Sequence, residues 1–374
     1  MIEERLNDIL KKLETKSALR SLKHCQGMVD FCSNDYLGLS VSNELHERVL
    51  ESFKKIEKSG SGGSRLLSGN HPMMENLEKQ LQDFHQADAA LLFNSGYDAN
   101  LSIFGCLPQR GDLILYDSLV HASIHDGMRI GKAETKAFKH NDCEDLKQLL
   151  ESAFEIKGQV FVAVESLYSM DGDLAPLSEI ADLCQKYGAA LIVDEAHATG
   201  VFGHNGVGRV QELGLQNKVF ARLHTFGKAI GGHGAAILGS DTLKQFLINF
   251  ARPLIFSTAL SLYDIVHANE AYKLLRENGE NLRLSLHDKI KFFRSEIEKV
   301  SQKYSILNSI SPIQGIIIPG NEMVMKIAEN IQGHSFDVRA IRYPSVAAGS
   351  ERLRICLHNY NSETEITNLI KLLL

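Results

Sequence analysis

Apolar positions in this chain switch between helical and strand spacing in a regular order. Ile2, Leu6, Ile9, Leu10 and Leu13 recur at helical spacing, which predicts an amphipathic helix that packs on the body or on a partner. Residues 31–38 read as a short strand running into a turn. The run 59–65 is too rich in glycine and serine for helix or strand; it reads as a loop offering amides to an anion or as a flexible linker. Pro72 opens a helix with Leu77, Leu81 and Phe84 on one face. Apolar runs at 89–93, 113–116, 159–164 and 189–193 then read as strands, with amphipathic stretches between them. The stretch 177–187 is a helix closed by Gly188, 218–225 leads to Lys228, and 235–238 is one more strand. This alternation predicts an α/β fold with a mostly parallel sheet and helices on both faces.

Near residue 259 the pattern changes to long charged amphipathic helices up to about residue 304, then strands near 313–318 and 353–357. Ser362 and Glu365 have the spacing of a capping box for a last helix. The chain therefore divides into an N-terminal segment, 1–40, a large domain, 41–258, and a smaller C-terminal α+β domain, 259–374.

Composition narrows the function. A net charge of -6 and a pI near 6.2 argue against a general affinity for nucleic acid or an anionic membrane. The six cysteines lack C-x-x-C spacing, so they indicate neither a zinc site nor a disulfide framework, and they read as reduced thiols. The first residues lack a signal peptide's basic region and apolar core, and no apolar run approaches transmembrane length; the expectation is a cytoplasmic protein.

One lysine organises the candidate chemistry. Lys228 follows Gly227 and precedes Gly231, Gly232 and Gly234, so backbone can approach a flat ligand there, and a lysine held in a pocket can attack a carbonyl. Most G-K dipeptides are surface turns, and a phosphate loop would need Ser or Thr where Ala229 stands. Partners upstream favour the chemical reading. Asp194 and His197 stand at the carboxyl end of an apolar strand, where open α/β sheets bind ligands, and an aspartate there can hold a protonated pyridine nitrogen. His121 and His125 are four apart, but no carboxylate ligand set accompanies them; a flat imidazole beside a ring-shaped cofactor is the better use of His121. The run 194–197 also spells the Asp-Glu-Ala-His box of a nucleic-acid helicase, yet no phosphate loop lies upstream.

Together, residues 33–39, 60–65, 121–123, 169–173, 194–197, 227–228 and 352–354 resemble the α-oxoamine synthases, fold-type I pyridoxal-phosphate transferases that condense an amino acid with an acyl thioester and release carbon dioxide. The resemblance implies pyridoxal 5'-phosphate linked to Lys228, with Asp194 on the ring nitrogen, His197 on the ring hydroxyl and His121 stacked on the ring. It implies a phosphate site at Ser95, Gly96 and Tyr97 with the hydroxyl of Thr225, and contacts from Ser169 and Glu165. Asn34 and Arg354 match positions that hold the amino-acid carboxylate. It also implies a homodimer with shared active sites, in which the 60–65 loop and the stretch ending at Thr258 reach the neighbouring subunit's cofactor.

Within the family, residues 64–69, 197–201 and 234–236 are most similar to the biotin-pathway branch, which joins L-alanine to a pimeloyl group carried by coenzyme A or acyl carrier protein. Arg20 and Arg342 match that branch and would suit the polar end of a pimeloyl chain. The alternatives are branches using glycine with acetyl or succinyl donors, or serine with palmitoyl donors. Ala347 departs from the proline usual in the family. A silent relative would have lost Lys228 or Asp194, and both are present.

Overall fold

The alternating segments form a seven-stranded sheet in the order Ala89–Phe93, Ala235–Gly239, Ala221–Thr225, Ala190–Asp194, Val160–Glu165, Leu113–Asp117, Glu134–Phe138. This is a computed structural model, and it describes residues 1–22, 24–300 and 302–373. Ala235–Gly239 runs antiparallel to both its neighbours, and the other pairings are parallel. Residues 160–164 and 190–193 of two central strands are all apolar because both faces are covered: Ile192 and Ala163 belong to one apolar cluster, Val162 and Val193 to a second. Glu134–Phe138 is a strand that the apolar pattern does not reveal. It lies at the sheet edge with only Phe138 buried, so its sequence carries no strand period.

Contacts gather the chain into two units, one made of Asn34–Ser169 with Leu174–Leu284 and the other of Met1–Ser33, Met170–Asp173 and Ser285–Leu374. These boundaries differ from those expected at residues 40 and 258. Tyr36, Leu37 and Leu39 are buried, and the ideal Cβ position of Gly231 lies 2.4 Å from the Ser40 amide nitrogen, which binds the 34–40 stretch into the sheet-bearing unit. The change of character near residue 259 marks the start of Leu262–Ile297, a single 36-residue helix, and the division falls inside it.

The second unit carries a four-stranded sheet in the order Arg339–Ile341, Arg352–Cys356, Ile313–Ile317, Ser305–Ile306, all antiparallel. Its last helix, Glu363–Lys371, starts with the expected capping box of Ser362 and Glu365. The first helix, Ile2–Glu14, forms where its period predicts, and none of its residues is buried. Among the described residues, no helix is long and apolar enough to cross a membrane.

In the sheet-bearing unit, parallel pairing brings strand ends side by side. Glu165 pairs with Asp194, and Asp194 with Leu223, two residues before Thr225. The connections leaving these carboxyl ends build the site.

Candidate active site

After Thr225 the chain turns tightly: the Phe226 amide donates to the Gly234 carbonyl at 2.8 Å and the Gly231 amide to the Lys228 carbonyl at 2.8 Å. This turn presents half-buried Lys228 to a cavity of about 210 Å³. Asp194, His121, His197, Glu165, Thr225, Ser95, Gly96 and Tyr97 line the same cavity, so the parallel sheet brings together most of the expected cofactor residues.

Asp194 is buried and held from both sides: the Ala196 amide donates to its Oδ1 at 2.9 Å, and the Asn100 side-chain amide donates to its Oδ2 at 2.8 Å. His121 caps the helix Ala122–Ile130. Its Nδ1 accepts from the Ser123 amide at 3.2 Å and the Ser123 hydroxyl at 2.7 Å, which leaves the ring proton on Nε2. Burial holds the pKa of this imidazole below its ordinary value, against the pull of Asp194, so the ring is neutral near pH 7. The Tyr36 hydroxyl donates to Asn34 Oδ1 at 3.0 Å, so at its 2.8 Å contact with His197 Nδ1 the histidine is the donor.

Glu165 has the reverse character of its neighbour Asp194. Burial, together with the nearby Asp194 charge, pushes its carboxyl well above the ordinary range, and its Oε1 is a buried atom without a hydrogen-bond partner. Glu165 therefore holds its proton more tightly than an ordinary carboxyl, next to Asp194 in the cavity wall.

At the other end, Ser95 caps the helix Gly96–Cys106 by accepting from the Asp98 amide at 3.0 Å. A helix N-terminus offers free amides and a partial positive charge to a phosphate. Gly96 leaves no space for a side chain there, because its ideal Cβ position lies 2.5 Å from Thr225 Cγ2. Tyr97 is more exposed and donates its hydroxyl to Asp126.

These residues fit pyridoxal phosphate: a carboxylate for the ring nitrogen, a neutral flat imidazole, an amine for the aldehyde and a helix N-terminus for the phosphate. Gly96→Ala tests the last assignment. Overpacking of this kind costs about 1–3 kcal/mol, so the dissociation constant for pyridoxal phosphate should rise roughly tenfold to a hundredfold in equilibrium dialysis. An unchanged constant would remove the phosphate from this helix end.

Other expected residues lie elsewhere. Thr258 lines a different cavity, with Arg65 and Met74, and its carbonyl accepts from Asn94 at 2.8 Å. Ser169 is half-buried and is not part of the wall around Lys228. In the second unit, Arg354 is half-buried on the strand Arg352–Cys356 and donates to the Cys356 sulfur at 2.9 Å. Arg20 and Arg342 share a cavity of about 580 Å³ with Leu10, Leu13, Leu19 and Met170. Arg342 donates to the carbonyls of Ser17 and Leu19, and Arg20 to the Ser345 hydroxyl at 3.2 Å.

Glu195 serves the interior. It is fully buried, accepts from the amides of Arg209 at 2.9 Å and Val210 at 3.1 Å, and burial raises its pKa to about 7. Asn100 is a cavity residue that sequence reasoning missed, and Ser123, inside the 121–123 motif, was given no role of its own. Neither stands at a strand end or in a glycine-rich turn, and both look like ordinary polar positions on helices.

The chain matches the family described as aminotransferase class I and II over residues 26–373. It is 40% identical to the 8-amino-7-oxononanoate synthase of Emericella nidulans, over 99% of this chain and 94% of that one. Among solved structures, a serine palmitoyltransferase from S. paucimobilis with bound PLP–myriocin superposes with a TM-score of 0.89 at 26% identity, covering 98% of this chain and 95% of that one. The 8-amino-7-oxononanoate synthase from Francisella tularensis has a TM-score of 0.75 at 28% identity, covering 92% and 96%.

Proposed function

The chain belongs to the class I and II aminotransferase family as a pyridoxal-phosphate-dependent acyltransferase, and from that premise we propose that it condenses L-alanine with a pimeloyl thioester to give 8-amino-7-oxononanoate, carbon dioxide and the free thiol carrier. The carrier is coenzyme A or acyl carrier protein, and the product serves biotin synthesis. The active form is a homodimer, in which the 60–65 loop and Thr258 complete the neighbour's site.

Pyridoxal phosphate, when bound, supplies an electron sink for charge at the substrate α-carbon. The protein's residues do the rest. Lys228 carries the α-proton away and returns one to the product carbon. Asp194 keeps a proton at the ring nitrogen, which strengthens the sink. His121 covers the ring as a neutral surface, and the start of the helix Gly96–Cys106 holds the phosphate. Neutral Glu165 adds a hydrogen-bond donor without adding charge beside Asp194. Asn34 and Arg354 are assigned to the amino-acid carboxylate.

The observation that carries the choice of acyl donor is the cavity bearing Arg20 and Arg342, whose leucine and methionine walls suit methylenes and whose arginines suit a terminal carboxyl or ester. The structural likeness to serine palmitoyltransferase favours a second reading, with serine and a long acyl chain. That chain has no polar end for the two arginines.

A panel of amino acids and thioesters, followed by thiol release, decides between them. L-Alanine with the pimeloyl donor should be consumed fastest; a preference for serine with palmitoyl thioester, or for glycine with a short donor, would overturn the proposal. Arg20→Ala should lower kcat/KM for a free-carboxylate donor by about one to two powers of ten, the equivalent of about 1.5–3 kcal/mol for a charged hydrogen bond. The loss should shrink for the esterified donor. Arg342→Ala should hurt both donors, because Arg342 also holds the segment that carries Arg20.

A further inference from the structure

Two helices meet beside the cavity through small residues. The ideal Cβ position of Gly127 on Ala122–Ile130 lies 2.8 Å from the Asn100 carbonyl oxygen of Gly96–Cys106, so only glycine allows this approach. Asn100 is 2% exposed, and the approach brings it within reach of both Asp194 and Ser123. Its amide nitrogen donates to Asp194 Oδ2 at 2.8 Å and to Ser123 Oγ at 2.9 Å. A carboxylate can only accept, so the amide orientation is fixed. Ser123 receives one of these protons and passes its own hydroxyl proton to His121 Nδ1 at 2.7 Å. Every hydrogen bond in the series therefore has a defined direction.

We propose that Asn100 is a positioning residue that couples the ring-nitrogen aspartate to the ring-stacking histidine: one amide group fixes the Asp194 carboxylate and, through Ser123, holds His121 as the Nε2–H tautomer. Protonating His121 at Nδ1 would turn that nitrogen into a donor and leave the Ser123 hydroxyl proton without its acceptor. The series thus favours a neutral imidazole. The Asn100 amide is the branch point and donates toward both ends, so altering it disturbs both, whereas altering Ser123 disturbs the His121 end. The titratable groups around it are Lys228 and Glu165 near Asp194, and His125 and Asp126 near His121, with Asp117 beyond Glu165.

The inference depends on the cofactor and not on the acyl donor, so the test uses neither substrate. Holoenzyme labelled with ¹⁵N-histidine is titrated by NMR, with the His121 signal identified by its loss in His121→Gln, and pyridoxal phosphate dissociation is measured by dialysis. Ser123→Ala should raise the His121 midpoint, by up to about one pH unit, and change cofactor affinity less than about threefold. Asn100→Leu, which keeps the branched shape and removes both donors, should raise the same midpoint and also weaken cofactor binding by about tenfold. In the Ser123→Ala background, Asn100→Leu should no longer move the midpoint while still weakening the cofactor. Additive midpoint shifts, or a Ser123→Ala protein that titrates like the parent, would overturn the proposal. Should Asn100→Leu fail to fold, Asn100→Ser keeps one donor and decides: it should preserve the response of one end of the series, and loss at both ends or at neither would refute the coupling.

Discussion

Lys228→Ala is expected to lower the rate of thiol release by at least about three powers of ten while leaving the fold and most of the cofactor site intact. Proton transfer by a positioned group contributes about 10²–10⁴ in rate, and in the proposed reaction one amine serves both as covalent anchor and as proton carrier. The rest of the cavity does not depend on it: Asp194 keeps its bonds from Ala196 and Asn100, and His121 its bonds from Ser123. The variant should therefore still bind pyridoxal phosphate reversibly and unfold at nearly the parent temperature. Borohydride reduction of the parent protein should fix the cofactor to one peptide, the one containing Lys228, and reduction of the variant should fix none. A label on another lysine, or a variant with more than a tenth of the parent activity, would remove Lys228 from its role.

Much of this site was legible because parallel strands announce themselves. The apolar run ending at Asp194 has no polar alternation, so its first charged residue falls where the sheet ends and ligands bind. Lys228 is similar, since the glycines after it are needed where the turn approaches other backbone: Gly231 has φ 70° and no space for a side chain beside Ser40. Asn100 gave no such signal. It sits inside a helix whose residues are mostly small or apolar, and its importance comes from a neighbour 23 positions away and another 94 away in sequence.

The same distinction explains the fold. The helix Leu177–Tyr187 ends at Gly188, as expected, because a left-handed cap with φ 69° is a local requirement. The helix Leu262–Ile297 is longer than its local pattern suggests. Gly279 in its middle does not break it; the ideal Cβ position there lies 3.0 Å from the Asn205 carbonyl, so this glycine allows a close approach. Glu134–Phe138 is a strand only because Leu113–Asp117 lies alongside it. Thr258 falls in a cavity apart from Lys228 within the same unit, and no local feature of residues 256–258 indicates which chain's cofactor they would serve.

Asp194→Asn and Glu165→Gln should separate two adjacent carboxyl groups by role. Asp194 is bonded as an ion, with amide donors on both oxygens, and its proposed partner is a protonated nitrogen. Breaking a buried charged pair by neutralising one member costs about 3–5 kcal/mol, so Asp194→Asn should lower kcat/KM by roughly two to four powers of ten. Burial and the Asp194 charge favour the neutral, protonated form of Glu165 by pushing its pKa well above the ordinary value of 4.5. Glutamine reproduces that neutral form, and Glu165→Gln should stay within about tenfold of the parent. The pH dependence of stability gives an independent readout. A carboxyl whose folded pKa is raised contributes stability that is fully present below its unfolded pKa and is lost as pH rises through the folded one. The parent melting temperature should therefore fall as pH rises above the ordinary carboxyl value of 4.5, and the Glu165 share should be lost as Glu165 ionises. The Glu195 share, with a folded pKa of about 7, should be gone just above neutrality. Glu165→Gln should remove the Glu165 share of that decline and leave the Glu195 share in place. A Glu165→Gln protein as inactive as Asp194→Asn, with the same decline as the parent, would mean that Glu165 works as an ion.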